Sequence, residues 1–130
     1  MHVRTANADE VPAVMNVLDG AVLSIAVEAV RAGVENGDTL VAVSGDDPAA
    51  GRVLGALVLD GTHIEAVAVR RRRRGQGIGT ALVEAAADRR DRVTAEFDAA
   101  VRPFYGALGF AIEPLDDASD RRRGTRYGTD

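Results

Sequence analysis

The sequence predicts an α/β fold of the α+β type, and three observations indicate this class. Residues 39–69 contain three apolar stretches of strand length, and Asp60-Gly61 between the last two is a strong signal for a two-residue hairpin. The predicted elements follow the order β-α-α-β-β-β-α-β-α-β-β. A turn rich in arginine and glycine separates the fourth strand from the third helix. The chain is therefore expected to form an antiparallel meander that leads into a ligand-binding turn.

The first half of the chain is predicted to contain one strand, two helices and the start of the meander. Residues 3–6 suit a short strand, and Asn7 or Asp9 then offers a cap for a helix whose apolar residues recur at helical spacing. A second helix is expected at residues 24–33, with Ser24 as its cap. The strands of the meander are expected at residues 39–44, 52–59 and 62–69.

The clearest helix in the sequence is expected from Gly77 to about Asp91. Apolar side chains form a stripe along it, while Glu84 and Asp88 lie on its outer side. The remaining elements are a strand at 93–97, a short helix at 102–108 and strands at 110–115 and 121–127. Because 130 residues suit one domain, and we find neither a repeat nor an internal boundary, a single domain is expected over residues 1–130.

The composition argues against several classes of function. The chain has no cysteine, so disulfides, thiolate metal ligands and a cysteine nucleophile are excluded, and no metal site is expected. No apolar stretch approaches the roughly 20 residues of a transmembrane helix, and the N-terminus lacks a signal core, so a cytoplasmic protein is the default expectation. The net charge is −4, and all 16 basic residues are arginine, five of them in one run. One basic focus on an acidic chain suits a small anionic ligand, so neither a nucleic-acid nor a membrane partner is expected.

The stretch from Val69 to Ala81 has the features of a phosphate-binding turn. It reads Val-Arg-Arg-Arg-Arg-Arg-Gly-Gln-Gly-Ile-Gly-Thr-Ala, so a strand end, a basic run, three alternating glycines and a helix start follow one another. Glycines let a backbone approach a ligand closely, and the first amides of a helix have no partner within it. The helix dipole adds an attraction of about 0.3–1 kcal/mol for an exposed anion. The sequence therefore predicts that phosphate is held at this turn.

Two motifs give the chain a resemblance to a known family. Arg74-Gly75-Gln76-Gly77-Ile78-Gly79 matches the pattern Arg or Gln, two residues, Gly, one residue, Gly or Ala, at a strand-to-helix turn. About 30 residues later, Phe104-Tyr105-Gly106-Ala107-Leu108-Gly109-Phe110 matches an aromatic pair followed by a short spacer and Leu-Gly-Phe. Together with the element order, these motifs resemble the GCN5-related N-acetyltransferase (GNAT) superfamily over essentially the whole chain. The resemblance implies a mixed, largely antiparallel sheet of six to seven strands, flanked by about four helices, whose central strands splay apart.

The resemblance also implies acetyl-CoA as the cosubstrate. In this family the exposed backbone of the fourth strand pairs with the pantetheine arm, much as an added strand would. Carried onto this sequence, that backbone belongs to Val67 and Val69. The residues that would cradle the pyrophosphate, mostly through backbone amides, are Arg74, Gly75, Gly77, Gly79 and Thr80. Arg70 to Arg73 are interpreted as a solvated basic turn, with partial help to the 3′-phosphate of CoA as the alternative.

Tyr105 and Glu65 are the catalytic residues that the resemblance implies. Tyr105 matches the family's general acid, and a phenol of pKa ~10 can protonate a leaving thiolate of pKa ~8.5 at modest cost. Phe104 is expected to fill the core in place of Tyr105. Glu65 is the candidate base because several family members carry an acidic residue there. Strand alternation predicts that Glu65 lies on the face opposite Ile64 and Ala66.

Two further residues are weaker candidates for proton transfer. An alkyl amine of pKa ~10.4 is almost fully protonated at pH 7, so acetyl transfer needs a base or a desolvated site. Glu96 on the following strand is the reserve base. His63 lies two residues from Glu65 and is predicted to share its face, where it would either assist or remain an ordinary exposed histidine.

The sequence thus predicts an N-acetyltransferase that moves an acetyl group from acetyl-CoA directly to a primary amine. The acceptor is expected to be a small molecule or a peptide, and homodimers are common for such folds. One alternative is a non-catalytic CoA-binding sensor or interaction module. The other is a Rossmann-type dinucleotide-binding protein, for which Glu96 or Asp98 would be the acidic residue, but Gly75-x-Gly77-x-Gly79 departs from the spacing G-x-G-x-x-G.

Overall fold

The computed structural model describes residues 1–20, 26–45, 52–115 and 120–127, and in these residues seven strands form one sheet. The strands are β1 (His2–Thr5), β2 (Thr39–Val43), β3 (Val53–Asp60), β4 (His63–Val69), β5 (Arg92–Asp98), β6 (Ala111–Pro114) and β7 (Arg121–Tyr127). The helices are α1 (Val11–Gly20), α2 (Val27–Glu35), α3 (Ile78–Arg89) and α4 (Arg102–Ala107). The predicted element order is therefore confirmed, with ends that differ by up to three residues. The predicted cap at Ser24 lies outside the described residues.

The sheet is mixed and largely antiparallel, as predicted. Its strand order is β1-β2-β3-β4-β5-β7-β6, and every neighbouring pair is antiparallel except β4 and β5, which are parallel. A Rossmann unit requires a sheet of mostly parallel strands with crossover helices. The strand directions therefore exclude the dinucleotide-binding alternative.

Helices cover both faces of the sheet and enclose two apolar clusters. On one face α1 and α2 pack over β3 and its neighbours, and on the other face α3 packs over β2, β3 and β4 while α4 packs beside β6. Gly55 of β3 allows α3 to come close, because a Cβ there would lie 3.0 Å from the Ala68 carbonyl oxygen and 3.2 Å from both Ile78 and Leu82. Within the described parts of the chain, we find no helix with the length and apolar character to span a membrane.

The two central strands, β4 and β5, splay apart, as predicted. They pair only at their beginnings, where His63 lies opposite Thr94 and Ile64 lies opposite Ala95. The Thr94 N–H donates to the Thr62 carbonyl at 2.9 Å. Beyond Ile64 the register between the strands ends. A cleft therefore opens in the middle of the sheet.

A β-bulge at Glu65 lies where the two strands part. The register of β4 with β3 passes from Ala66 opposite Val58 to Ile64 opposite Leu59, so Glu65 has no partner of its own. Strict alternation would place Ile64 and Ala66 on one face, and this prediction is wrong. Ile64 belongs to the apolar cluster on the α3 and α4 side, whereas Ala66 belongs to the cluster on the α1 and α2 side. The extra residue of a bulge reverses the face assignment of everything that follows.

Candidate functional site

The edge of β4 that faces the cleft carries backbone groups with no strand partner. The Arg70 N–H donates to the Leu54 carbonyl at 2.8 Å, which fixes the phase of the β3–β4 ladder. In an antiparallel ladder, every second residue of a strand directs both its N–H and its C=O to the same neighbouring strand. Because Arg70 bonds to β3, the backbone groups of Ala68 and Ala66 point to β3 as well. Those of Val67 and Val69 then point away from β3, into the cleft. The bulge at Glu65 produces this phase.

The cleft is a cavity of about 610 Å³ lined by β4, β5, α3 and α4. It brings together six of the predicted site residues, namely Glu65, Val67, Val69, Arg74, Gly79 and Tyr105. A second cavity of about 220 Å³ adjoins it and is lined by the other three, Gly75, Gly77 and Thr80, together with Val69, Arg74 and Gly79. Each of the nine predicted site residues thus lines at least one of these two neighbouring cavities.

The smaller cavity lies at the N-terminus of α3 and has the features of an anion cradle. Gly77 caps the helix with φ +81°, in the left-handed region that favours glycine, and no side chain caps the helix. The first helical bond here is from the Ala81 N–H to the Gly77 carbonyl at 3.0 Å. The amides of Ile78, Gly79 and Thr80 therefore have no partner within the helix. Such free amides and the helix dipole suit a phosphate group.

Arg74 connects the cradle to the cleft. Its side chain lines both cavities, and its Nε donates to the Val69 carbonyl at 3.3 Å. This carbonyl belongs to the free edge of β4. The guanidinium is thus held beside the place where the strand edge meets the helix N-terminus, and it adds a positive charge there.

Arg70 does not behave as part of a solvated turn, so the interpretation of Arg70 to Arg73 as one exposed group is wrong for this residue. Its Nε donates to the Val53 carbonyl at 2.7 Å, and its Nη1 donates to Asn16 Oδ1 at 2.8 Å. It therefore ties β3 to α1. The three arginines that follow form a single 3-10 turn and are exposed.

Tyr105 is buried at the inner wall of the cleft. Its ring stacks on Phe97 at 4.1 Å between centroids and 14° between planes, and it meets Phe104 and Phe110 edge-on at 5.0 and 5.1 Å. The expectation that Phe104 fills the core in its place is wrong, because Tyr105 is 6 % exposed and Phe104 is only partly buried. Burial raises the pKa of the Tyr105 phenol above its ordinary value. The phenol is therefore protonated throughout the neutral range.

The raised pKa of Tyr105 predicts a loss of stability in alkali. A group that ionises less readily in the folded state stabilises the fold fully below its unfolded pKa of ~10 and loses that contribution as pH rises through its folded pKa. Urea unfolding should therefore show a fall in stability above about pH 10 that is smaller in Tyr105→Phe. Tyr127, the other tyrosine, is 70 % exposed, so Tyr127→Phe is the matched control and should keep the wild-type profile. Parallel profiles for wild type and Tyr105→Phe would contradict this effect of burial.

The acidic candidates lie on the two strands that flank the cleft. Glu65 and Glu96 are both exposed and both line the cavity. His63 turns to β5 rather than to Glu65, since its Nδ1 lies 3.0 Å from Thr94 Oγ1 and its Nε2 lies 4.0 Å from Glu96 Oε2. Arg123 Nη2 lies 3.6 Å from the other oxygen of Glu96. Glu96 therefore stands between two cationic or titratable side chains.

Neither the site residue Phe97 nor the capping role of Asp98 is identified from the sequence. Phe97 supports the ring of Tyr105, and the alternating buried residues of β5 could have indicated an inward aromatic side chain. Asp98 caps the turn before α4, where its Oδ1 accepts from the Ala100 N–H at 2.9 Å. A short acidic residue ahead of a helical segment is a usual cap signal. Together they position the start of α4, which carries Tyr105.

Comparison with protein families identifies residues 35–112 as an acetyltransferase (GNAT) domain. This match covers more than half of the chain, and it confirms the resemblance inferred from the two motifs. No curated protein sequence matches the chain significantly.

Solved structures share the fold over nearly the whole chain. A GNAT-family acetyltransferase from Bacillus cereus superposes with a TM-score of 0.80 at 12% identity, covering 99% of this chain and 98% of that one. Rv2747 from Mycobacterium tuberculosis, solved in complex with CoA, gives 0.74 at 20% identity, with coverage of 98% and 99%. N-acetylglutamate synthase from Neisseria gonorrhoeae, complexed with coenzyme A and N-acetyl-glutamate, gives 0.77 at 14% identity, covering 99% of this chain and 35% of that one. At these identities the likeness establishes the fold.

Proposed function

This chain belongs to the GNAT acetyltransferase family, and on that premise we propose that it is an N-acetyltransferase that moves the acetyl group of acetyl-CoA directly to a primary amine. The observation that carries the proposal is the free backbone edge of Val67 and Val69, in a cleft that runs from an anion cradle to a buried tyrosine. Structures of the same fold from two bacteria contain CoA, which supports the choice of donor.

The residues on both sides of the cleft fit the parts of such a donor. The amides at the start of α3 would hold the diphosphate, with Arg74 as a charged partner. Val67 and Val69 would offer the backbone N–H and C=O groups that pair with an extended amide-containing arm. Gly79 lines both cavities beside Phe104, and a Cβ there would touch that ring at 3.5 Å, an ordinary van der Waals contact. When bound, acetyl-CoA supplies an activated thioester to this cleft.

Tyr105 is proposed as the residue that donates a proton to the leaving thiolate. Its ring is held between Phe97 and the two neighbouring phenylalanines, so its hydroxyl has a defined direction. It lines the cleft that also contains the free edge of β4. Burial raises the pKa of the phenol, which keeps the proton in place until the departing thiolate takes it.

Glu65 is proposed as the residue that removes the amine proton, directly or through water. It lies at the bulge where β4 and β5 part, and it lines the cleft from β4. Glu96 lines the same cleft from β5, but its two oxygens lie near His63 and Arg123. Both oxygens of Glu96 thus already face side chains of the neighbouring strands, which leaves this carboxylate less free to approach an amine in the cleft. Glu65 is therefore the better candidate.

Glu65→Gln is expected to lower kcat/KM at pH 7 by at least about tenfold, and Glu96→Gln by less than about threefold. The deficit of Glu65→Gln should shrink as pH approaches ~10.4, where the amine loses its proton unaided. Steady-state rates of CoA release from pH 6 to 10 measure both variants side by side. A larger effect of Glu96→Gln would assign the base to β5, and a deficit that is independent of pH would indicate a purely structural role for Glu65.

The acceptor is proposed to be the amine of a small molecule or a peptide. The face of β5 and β7 that carries Glu96 and Arg123 is exposed, which leaves an approach to the cleft from the side opposite α3 and α4. The regions expected to contact the acceptor are residues 19–36 and 116–127, and of these residues 21–25 and 116–119 lie outside the described part of the chain.

Two measurements test the proposed function. Acetyl-CoA should raise the melting temperature, whereas NADH should not, because ligand that binds only the folded state stabilises it. A panel of polyamines, amino acids, peptides and aminoglycosides should then contain at least one amine that accelerates CoA release. Stabilisation by NADH alone would overturn the donor assignment. Stabilisation by acetyl-CoA without CoA release for any amine would favour the CoA-binding sensor instead.

A further inference from the structure

A third cavity, of about 670 Å³, lies on the other side of the arginine turn, between that turn and α1. Its polar lining consists of Asn16, Arg52, Arg70 and the 3-10 turn Arg71–Arg73. We propose that this cavity, here called the arginine cavity, binds a polyphosphate anion at a site separate from the cradle of α3. The ligand would be either inorganic polyphosphate or the phosphate chain of a nucleotide.

The arginine cavity and the cradle lie at different sides of the same turn. Of the residues that the structure describes, only Val69 and Arg73 line both of them. The glycines and Thr80 line the cradle alone, whereas Asn16 and Arg52 line the arginine cavity alone. An anion among these arginines therefore contacts a different set of groups from an anion at the helix N-terminus.

The positive charge of the arginine cavity is concentrated. Among the residues that the structure describes, five arginines and no carboxylate line it. This accumulation occurs in a chain whose net charge is −4. Like charges held together in one concave site repel one another and attract a counter-ion of matching charge. A multivalent anion relieves that repulsion more effectively than a single chloride.

Part of this site is rigid before any ligand arrives. Arg70 is fixed by its bonds to the Val53 carbonyl and to Asn16, so it forms a fixed wall between β3 and α1. Arg71, Arg72 and Arg73 follow it on one short turn, and their side chains are exposed and available. Planar guanidinium groups pair bidentately with phosphate oxygens. Several guanidinium groups around one cavity can pair with several phosphate groups at once, so they suit a chain of phosphates better than a single phosphate.

Tripolyphosphate is the probe, measured by calorimetry with four forms of the protein. Arg71→Ala with Arg72→Ala should weaken its binding at least tenfold, whereas the charge-matched pair Arg31→Ala with Arg92→Ala, at exposed positions outside the cavity, should change it less than threefold. Thr80→Glu adds a negative charge to the cradle, where an acidic residue also suits the first turn of a helix. This variant should retain tripolyphosphate binding. Melting temperatures near the wild-type value would verify that every form is folded.

Competition with CoA completes the test. Protein saturated with CoA should still bind one tripolyphosphate, and ATP in place of tripolyphosphate distinguishes a nucleotide from the inorganic chain. Loss of tripolyphosphate binding in Thr80→Glu, or full displacement by CoA, would place the anion in the cradle and overturn the proposal. The proposal would also be overturned if tripolyphosphate did not bind and if Arg71→Ala with Arg72→Ala weakened the binding of CoA but not that of dephospho-CoA. The arginines would then serve the 3′-phosphate of CoA. A protein that binds tripolyphosphate but not CoA would refute the proposed function alone.

Discussion

Tyr105→Phe is expected to lower the turnover of acetyl-CoA by about 100-fold or more while changing its binding by less than about threefold. The variant removes only the hydroxyl. The contacts of the ring with Phe97, Phe104 and Phe110 remain possible, so the packing of α4 on the sheet should persist. The free strand edge and the cradle are formed by other residues, and they should hold the donor as before. The loss is thus expected in kcat rather than in affinity.

The size of this effect follows from the proton balance of the reaction. The departing thiolate is basic enough, with a pKa of ~8.5, to take a proton from a nearby donor. Bulk water can supply that proton, but a positioned acid contributes typically 10²–10⁴-fold. Since burial raises the pKa of Tyr105, the phenol does not lose its proton prematurely across the range in which the enzyme is assayed.

Single-turnover measurements separate chemistry from binding for this variant. Tyr127→Phe, at an exposed position of β7, is the matched control and should keep the wild-type rate. Tyr105→Phe with full turnover would make Tyr105 a packing residue. A variant that lost binding and turnover together would indicate that the hydroxyl holds α4 in place rather than donating a proton.

Local patterns explain why much of the fold could be predicted from the sequence. The hairpin at Asp60-Gly61 and the end of β4 at the arginine run depend on residues adjacent in the chain. Gly77, with its positive φ, marks the start of α3, and this signal also depends only on neighbouring residues in the chain. These signals place the cradle between a strand and a helix without knowledge of any distant contact.

The bulge at Glu65 could not be predicted because it depends on two neighbouring strands at once. The bonds of β3 to β2 determine which of its backbone groups remain for β4, as in the bond from the Leu59 N–H to the Asp38 carbonyl. At the other edge, β4 starts in register with β5 at His63 and Ile64. The two ladders have different phases, and Glu65 is the extra residue that reconciles them. The sequence of β4 alone therefore does not indicate that a bulge is needed at Glu65.

Which of the two aromatic residues of α4 is the more deeply buried could not be predicted for a similar reason. Phe104 and Tyr105 are adjacent on a helix, so which one faces the core depends on how the helix is rotated. The turn capped by Asp98 determines where α4 begins, and Phe97 of β5 provides the surface on which Tyr105 stacks. Hydrophobicity alone favours phenylalanine in the core. The structure places the tyrosine there, with its ring packed and the cleft beside it.

The bulge leads to the second large expected effect, which concerns hydrogen exchange along β4. In the free protein the amides of Ala66 and Ala68, which bond to β3, should exchange at least about 100-fold more slowly than those of Val67 and Val69. Without the bulge the pattern would be reversed. Backbone amide exchange followed by NMR resolves the four neighbours in one experiment, so each pair serves as the control for the other.

Saturating acetyl-CoA should then slow exchange at Val67 and Val69 by at least about tenfold, because their N–H groups gain partners in the cleft. Equal rates at all four residues in the free protein would refute the phase assigned to β4. Thermal stabilisation by acetyl-CoA without protection of the two valines would mean that the donor binds through the cradle alone, and that the strand edge serves another ligand. Protection at these two positions, in contrast, would link the extra residue at Glu65 to donor binding, since that residue turns their backbone groups away from β3 and into the cleft.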